Sequence, residues 1–310
     1  MEHSELLKIL TSKTNTVQIK SLNASISYHD YNGQNIVVKQ YNDTDSALER
    51  FERESYFLKF CLSNGIFEVP RILASDSNLG VIAMSYLPGD IVVVQNNEDI
   101  DQYSRFLNKL NGSDLADIYQ LNAKDSLLKE ISVDLDIEKR CEALYRAGGS
   151  REFLFLLDLI MCRNQEYTKY NEILRDFVSL KELQRDPIVS PSDVGFHNCL
   201  KQSGKLYFFD FEYAGLDSSI KTIFDFVNQP RFRLTLAQVG RFIDGTYLLH
   251  GLKLDEIPVE IWFLFRAKWA LIVLAAAQKM DARQGFEPYD KIELVKSYLD
   301  ESISFGGRGG

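Results

Sequence analysis

The chain changes texture at Pro88-Gly89, and that change does most to limit what it can fold into. Before the pair come short β-like runs over 16–20, 25–30 and 35–41; Tyr31-Asn32-Gly33-Gln34 joins the last two and carries the Asn-Gly hairpin signal. One helix is predicted over 44–62, with Asp43, Thr44 and Asp45 as candidate caps and Asn64-Gly65 as its stop. An extended stretch over 68–74 and an apolar strand over 80–87 complete this half. Beyond it the periodicity predicts helices over 99–110, 138–147, 151–174, 235–248 and 257–278, interrupted by one β-like island over 188–211. The expectation is an α+β protein: a small antiparallel lobe with one helix over 1–87, a larger mostly helical lobe over 88–304, and a flexible glycine-rich tail over 305–310.

Composition narrows the function classes. With 35 Lys+Arg against 44 Asp+Glu the formal net charge is −9, which argues against a protein that coats nucleic acid or sits on an anionic membrane. The longest apolar run, 269–277, is nine residues, against the roughly 20 that span a bilayer. The N-terminus shows no apolar h-region, and Cys61, Cys141, Cys162 and Cys199 stand singly, without zinc-site spacing. These features fit a cytoplasmic protein with reduced thiols and neither a membrane nor a nucleic-acid partner.

The island holds the residues most able to carry chemistry. Its segments 198–201 and 205–210 flank Gln202-Ser203-Gly204 and read as a hairpin, which brings Asn198 within about one residue of a position opposite Asp210. Asp193 lies five residues before Asn198, in a loop containing Pro191 and Gly195. Three side chains bearing oxygen would converge there, a donor set suited to Mg²⁺ that completes its shell with water and phosphate. Polar turn residues at hairpin ends account for the same three positions equally well.

In the first half, Lys39 interrupts an apolar strand, where an ammonium is costly unless it meets an anion. On the following helix Ala47, Phe51, Glu54, Leu58 and Cys61 share one face, and Glu54 is its single charged member. A strand lysine and an inward glutamate would each resolve the other's burial. The alternative puts Lys39 on a solvent face and pairs Glu54 with Arg50.

Lys39, Glu54, Asp193-Val-Gly-Phe-His-Asn198 and Asp210-Phe211-Glu212 together resemble the ordered motifs of the protein-kinase-like fold, and within it the aminoglycoside phosphotransferase and choline kinase superfamily. The resemblance covers about residues 15–280. It implies an ATP- (or GTP-) and Mg²⁺-dependent transfer of the γ-phosphate to a hydroxyl of a small polar molecule such as a sugar, amino alcohol or aminoglycoside. By the same likeness Lys39 holds the α/β-phosphates and Glu54 orients it. Asp193 accepts the acceptor's proton, Asn198 and Asp210 bind Mg²⁺, and the segment with Met84, Tyr86 and Leu87 meets the adenine. Asp225 corresponds to the family's structural helix aspartate.

The sequence departs from the family pattern in three places. Pro191-Ser192 stand where His-Gly is usual before the aspartate, His197 immediately precedes Asn198, and the phosphate-covering turn near 21–25 has no glycine. These departures support a competing reading, a catalytically weak kinase-like module that binds a nucleotide or metabolite. The glutamate of Asp-Phe-Glu, with no Ala-Pro-Glu segment after it, argues against protein phosphorylation. His3, His29 and His250 read as ordinary histidines, His197 as a residue that orients Asp193, meets the acceptor or packs, and Trp262 and Trp269 as core with an acceptor-pocket role as the lesser reading.

Overall fold

The computed structural model describes residues 9, 19–20, 23–42, 46–93, 95–112, 121–128, 132–181, 183, 187–284 and 289–300. Contacts divide the chain into two compact units, Met1–Ser126 with Ile188–Asp217, and Leu127–Pro187 with Ser218–Gly310. The tail 305–310 and the candidate caps Asp43, Thr44 and Asp45 lie outside the described residues, and Ser46 takes the cap position.

The first unit is built on an antiparallel sheet of β1 (Ile19–Lys20), β2 (Ala24–Tyr31), β3 (Gln34–Tyr41), β4 (Ile72–Asp76) and β5 (Val81–Ser85), in the order β1-β2-β3-β5-β4. Asn32 and Gly33 both have positive φ, 56° and 76°, the turn geometry that matches strand twist in a two-residue hairpin. Strand β3 is interior, with Lys39 opposite Ile26 of β2 and Ile82 of β5. Alternation then sorts its side chains: Ile36 and Val38 join Ile9, Ala74, Val81 and Ala83 in one core, while Lys39 and Tyr41 point the other way. There they meet α1 (Ala47–Ser63), which ends at Asn64 before Gly65.

Next come β6 (Asp90–Ile91) and α2 (Asn97–Asn111), whose capping box pairs the Asp99 amide with Asn96 Oδ1 at 3.0 Å and the Asn96 amide with Asp99 Oδ2 at 2.9 Å. The island contributes β7 (Ile188–Ser190) and the hairpin β8 (Cys199–Gln202) and β9 (Lys205–Phe208), and β10 (Gly215–Asp217), which was not expected, follows it. Strand β6 pairs with β8 and β7 with β10. Gly89 makes the first pairing possible: its φ is +109°, and a Cβ there would stand 2.6 Å from the Lys201 carbonyl oxygen. Lys201 also reaches the fully buried Asp99 at 2.6 Å, which ties the hairpin to the start of α2.

The second unit is helical: α3 (Val133–Ala147), α4 (Arg151–Met161), α5 (Asn164–Leu180), α6 (Ser219–Val227), α7 (Leu236–Gly245), α8 (Tyr247–His250), α9 (Val259–Gln284) and α10 (Tyr289–Leu299). Helices α6 and α10 were not expected, and three of the expected helices differ in their bounds or continuity. Helix α3 starts earlier than 138 because the Val133 amide finds the Asn171 side chain at 2.9 Å, a cap supplied from α5. The helix expected over 151–174 is two, broken at Cys162-Arg163, and the one over 235–248 breaks at Thr246, whose hydroxyl bonds back to the Phe242 carbonyl at 2.8 Å. No helix among the described residues is long and apolar enough to cross a membrane.

Candidate active site

The first unit brings Lys39, Glu54, Asp210 and Glu212 to one point. Lys39 Nζ is 2.7 Å from Glu54 Oε2, 2.6 Å from Asp210 Oδ1 and 3.2 Å from Glu212 Oε2. Lys39 and Glu54 are buried, with 5% and 1% of their surfaces exposed, so the inward-facing pair is the arrangement adopted. Arg50 donates instead to the Ser46 hydroxyl at 2.6 Å. Burial opposes the charge on Lys39, but Glu54, Asp210, Tyr41 and Glu212 outweigh it and hold its pKa well above the usual lysine range. Burial raises the Glu54 pKa, against the opposing pull of Lys39.

Glu54 is also fixed from two further directions: the Tyr41 hydroxyl donates to Oε2, and the Phe211 amide donates to Oε1 at 3.3 Å. Phe211 in turn stacks on Phe57 of α1, ring centroids 4.3 Å apart. Asp210, just after β9, has φ +66°, a left-handed conformation that aspartate tolerates better than most residues. That turn aims its half-exposed carboxylate at Lys39 while the next residue enters the aromatic core.

The loop before β8 is fixed by its own hydrogen bonds. The Asp193 amide donates to the Pro191 carbonyl at 2.9 Å across Ser192, whose φ is +65°. The buried Tyr103 hydroxyl of α2 accepts from the Gly195 amide at 3.0 Å. Asn198 Nδ2 donates to the Asp193 carbonyl at 3.0 Å and its carboxylate at 3.3 Å, and His197 Nε2 lies 3.1 Å from Asp193 Oδ1. The hairpin register pairs Cys199 with Phe208, and the Phe209 amide donates to the Asn198 carbonyl at 3.0 Å. Asn198 therefore stands within one residue of Asp210, as the turn at Ser203-Gly204 predicts.

The donor set fits a hard cation. Glu54, Asp210 and Glu212 each offer an oxygen, all within 4.8 Å of one another. Asn198 commits its nitrogen to Asp193, which leaves its side-chain oxygen as an acceptor, and oxygen-only donors match Mg²⁺ chemistry. Lys39 Nζ lies against all three carboxylates.

Sequence reasoning gave no place in the cluster to three contributors. Tyr41 shares the Lys39 face by two-residue alternation, and Glu212 stands two residues after Asp210; both spacings were visible. Asn23 was not: its Nδ2 donates at 2.6 Å to Glu212 Oε1 and to the Tyr213 hydroxyl, a contact across about 190 residues. Met84 and Leu87 bury their side chains, whereas Tyr86 is exposed and meets the Tyr28 ring edge-on. In the second unit Asp225 holds Lys221 at 2.8 Å and the Trp269 indole at 3.2 Å, and Trp262 packs on Phe224, so both tryptophans are core residues. His29 and His250 are buried and hydrogen-bonded.

The fold is the protein-kinase-like fold of small-molecule kinases. No family model and no curated protein matches the sequence. Among solved structures, a choline/ethanolamine kinase family protein from Mesorhizobium loti superposes with a TM-score of 0.59 at 13% identity, over 97% of this chain and 95% of that one. The choline kinase LicA from Streptococcus pneumoniae gives 0.57 at 13%, over 96% and 97%. Spectinomycin phosphotransferase APH(9)-Ia, in complex with ADP and spectinomycin, gives 0.58 at 12%, over 93% and 89%.

Proposed function

We propose that the chain is an ATP- and Mg²⁺-dependent phosphotransferase that moves the γ-phosphate to a hydroxyl of a small polar acceptor, such as a sugar, amino alcohol or aminoglycoside. One observation carries the reading: an unbroken path of contacts runs from Asp193 through Asn198 and Phe209 to Asp210, Lys39 and Glu54. A separate structural use for each residue would not require them to be joined. We assign nucleotide binding to residues 1–87, with the backbone around Met84, Tyr86 and Leu87 at the base, and catalysis and acceptor binding to 88–304.

Phosphoryl transfer needs positioning and charge neutralisation more than covalent chemistry. Lys39, kept protonated by its carboxylates and oriented by Glu54, offers its ammonium to the triphosphate. Asp193, held by Asn198 and His197, aligns the acceptor oxygen and takes its proton as the new O–P bond forms and the bond from the γ-phosphorus to the β–γ bridging oxygen breaks, releasing ADP. Mg²⁺, held by Asn198 and Asp210, would neutralise charge on the phosphate oxygens. The free thiols of Cys61, Cys141, Cys162 and Cys199 fit a reducing, cytoplasmic setting.

A second reading, a binding module of weak catalytic power, draws on the Asn23 contacts, which tie the glycine-free turn to Glu212 and Tyr213. Thermal shift with ATP and Mg²⁺, followed by ADP release across hydroxylated metabolites with wild-type and Asp193→Asn protein, separates the two. Stabilisation with turnover lost in Asp193→Asn supports the enzyme; stabilisation without turnover supports the module.

A further inference from the structure

The second unit contains a cationic cavity unconnected with the residues above. It measures about 120 Å³ and is lined by Val227, Asn228 and Gln229 after α6, by Phe232 and Arg233 in the following loop, by Arg266 of α9, and by Leu294, Ser297 and Tyr298 of α10. A cavity of about 10–15 Å³ on this measure holds one water, so the space admits a small molecule.

Its walls are built for negative charge. Arg266 has 4% of its surface exposed, and its Nη2 donates to the backbone carbonyls of Ser297 and Asp300. Arg233 at the rim donates from Nη2 to the Ser297 hydroxyl at 2.7 Å. Each fork is thus held by α10, in the case of Arg266 also by Asp300 just after it, and a guanidinium presents its donors in a fixed plane that suits oxyanions. Gln229, 6% exposed, contributes a buried Nε2 that meets no protein acceptor, a donor that a water or a ligand in the cavity would satisfy. None of the lining residues is acidic, in a chain whose net charge is −9. Near it in sequence, Arg231 is two residues from Arg233, Lys291 is one turn before Leu294 on α10, and Glu293, beside Leu294, pairs with Lys296 at 2.7 Å. Burial and the neighbouring Arg231 both lower the Lys291 pKa.

We propose that this cavity is a second, non-catalytic site for a tetrahedral oxyanion, inorganic phosphate or the phosphoryl group of a phosphomonoester, held by Arg233, Arg266 and Gln229. The buried Nε2 supplies a third donor for a tetrahedral ion. The site lies wholly in the second unit, and its assignment does not depend on the kinase reading.

The test is thermal unfolding of the full chain in inorganic phosphate, in sodium acetate and in sodium chloride, at matched ionic strength. Wild-type protein is compared with Lys39→Ala, Arg233→Gln and Gln229→Leu. Phosphate at about 10 mM is expected to raise the wild-type and Lys39→Ala midpoints by a few degrees, with no shift in acetate beyond the chloride control. Arg233→Gln, at the exposed rim, is expected to keep the salt-free midpoint and lose the phosphate shift, and Gln229→Leu to weaken it. The proposal is overturned by an absent wild-type shift, by a shift that survives Arg233→Gln, or by an equal shift in acetate. It is also overturned by a shift lost in Lys39→Ala, which would place the phosphate in the first unit.

Discussion

Lys39 and Asp210, 171 residues apart in sequence, meet at 2.6 Å, so the central lysine of β3 holds the residue that follows the island's hairpin. Its ammonium also keeps together Glu54 and Glu212, which would otherwise repel each other in a buried space. Lys39→Met is therefore expected to cost about 3 kcal/mol or more in urea denaturation, the scale for stripping a buried charge of its partner. Adding Glu54→Gln to Lys39→Met is expected to recover part of that loss, because one uncompensated carboxylate is removed. Additive single effects would contradict this account of the cluster.

His197 touches Asp193 through Nε2 at 3.1 Å, and on the proposed reading of the site it orients the carboxylate. His197→Ala is expected to lower kcat about tenfold, roughly 1.4 kcal/mol of barrier, with the KM for ATP unchanged. His197→Gln, which retains a donor, is expected to recover part of the rate. Steady-state kinetics with an accepted substrate decide it, and an equal loss in kcat and in ATP affinity would point to misfolding.

Asn23 joins β2's leading turn to Glu212 and Tyr213, and Glu212 joins Lys39. A double-mutant cycle of Asn23→Ala with Glu212→Gln is expected to give a coupling energy of about 1 kcal/mol in chemical denaturation. A coupling near zero would mean that the turn is held by other contacts.

His250 sets a pH dependence in the second unit. Its Nδ1 accepts from the Leu252 amide at 2.9 Å and its Nε2 faces the Thr246 hydroxyl at 3.1 Å, an arrangement that requires the neutral ring. Burial lowers its pKa to about 4, below the 6.5 of an unperturbed histidine. The unfolded chain then binds the extra proton first, so this contribution is complete above pH 6.5 and is lost as pH falls from 6.5 towards 4. The loss is expected to reach about 3 kcal/mol, and His250→Asn is expected to flatten the profile over that window. Denaturation midpoints between pH 4 and 7 test it.

The sequence made some of this legible because burial rules are local. A lysine in an apolar strand and one glutamate on an apolar helix face each needed a partner, and the turn at Ser203-Gly204 set the register that placed Asn198 beside Asp210. The Asn23 contact and the Asn171 cap on α3 joined residues distant in sequence, and no local pattern signals such a partner. The break at Cys162-Arg163 was hidden for another reason: apolar spacing continues through it, and neither glycine nor proline marks it. Glu212 was visible as a residue, but its contact with Lys39 depends on the left-handed turn at Asp210.

The central claim is that Asp193, Asn198, Asp210, Lys39 and Glu54 form one phosphoryl-transfer site. The most direct measurement is ADP release from ATP and Mg²⁺ across a panel of hydroxylated metabolites, with wild-type and Asp193→Asn protein in parallel. The account predicts one or more acceptors that raise ADP release in the wild type, with a loss of about 100-fold or more in Asp193→Asn and an unchanged unfolding midpoint. Transfer to an identified acceptor at the wild-type rate by Asp193→Asn would contradict it.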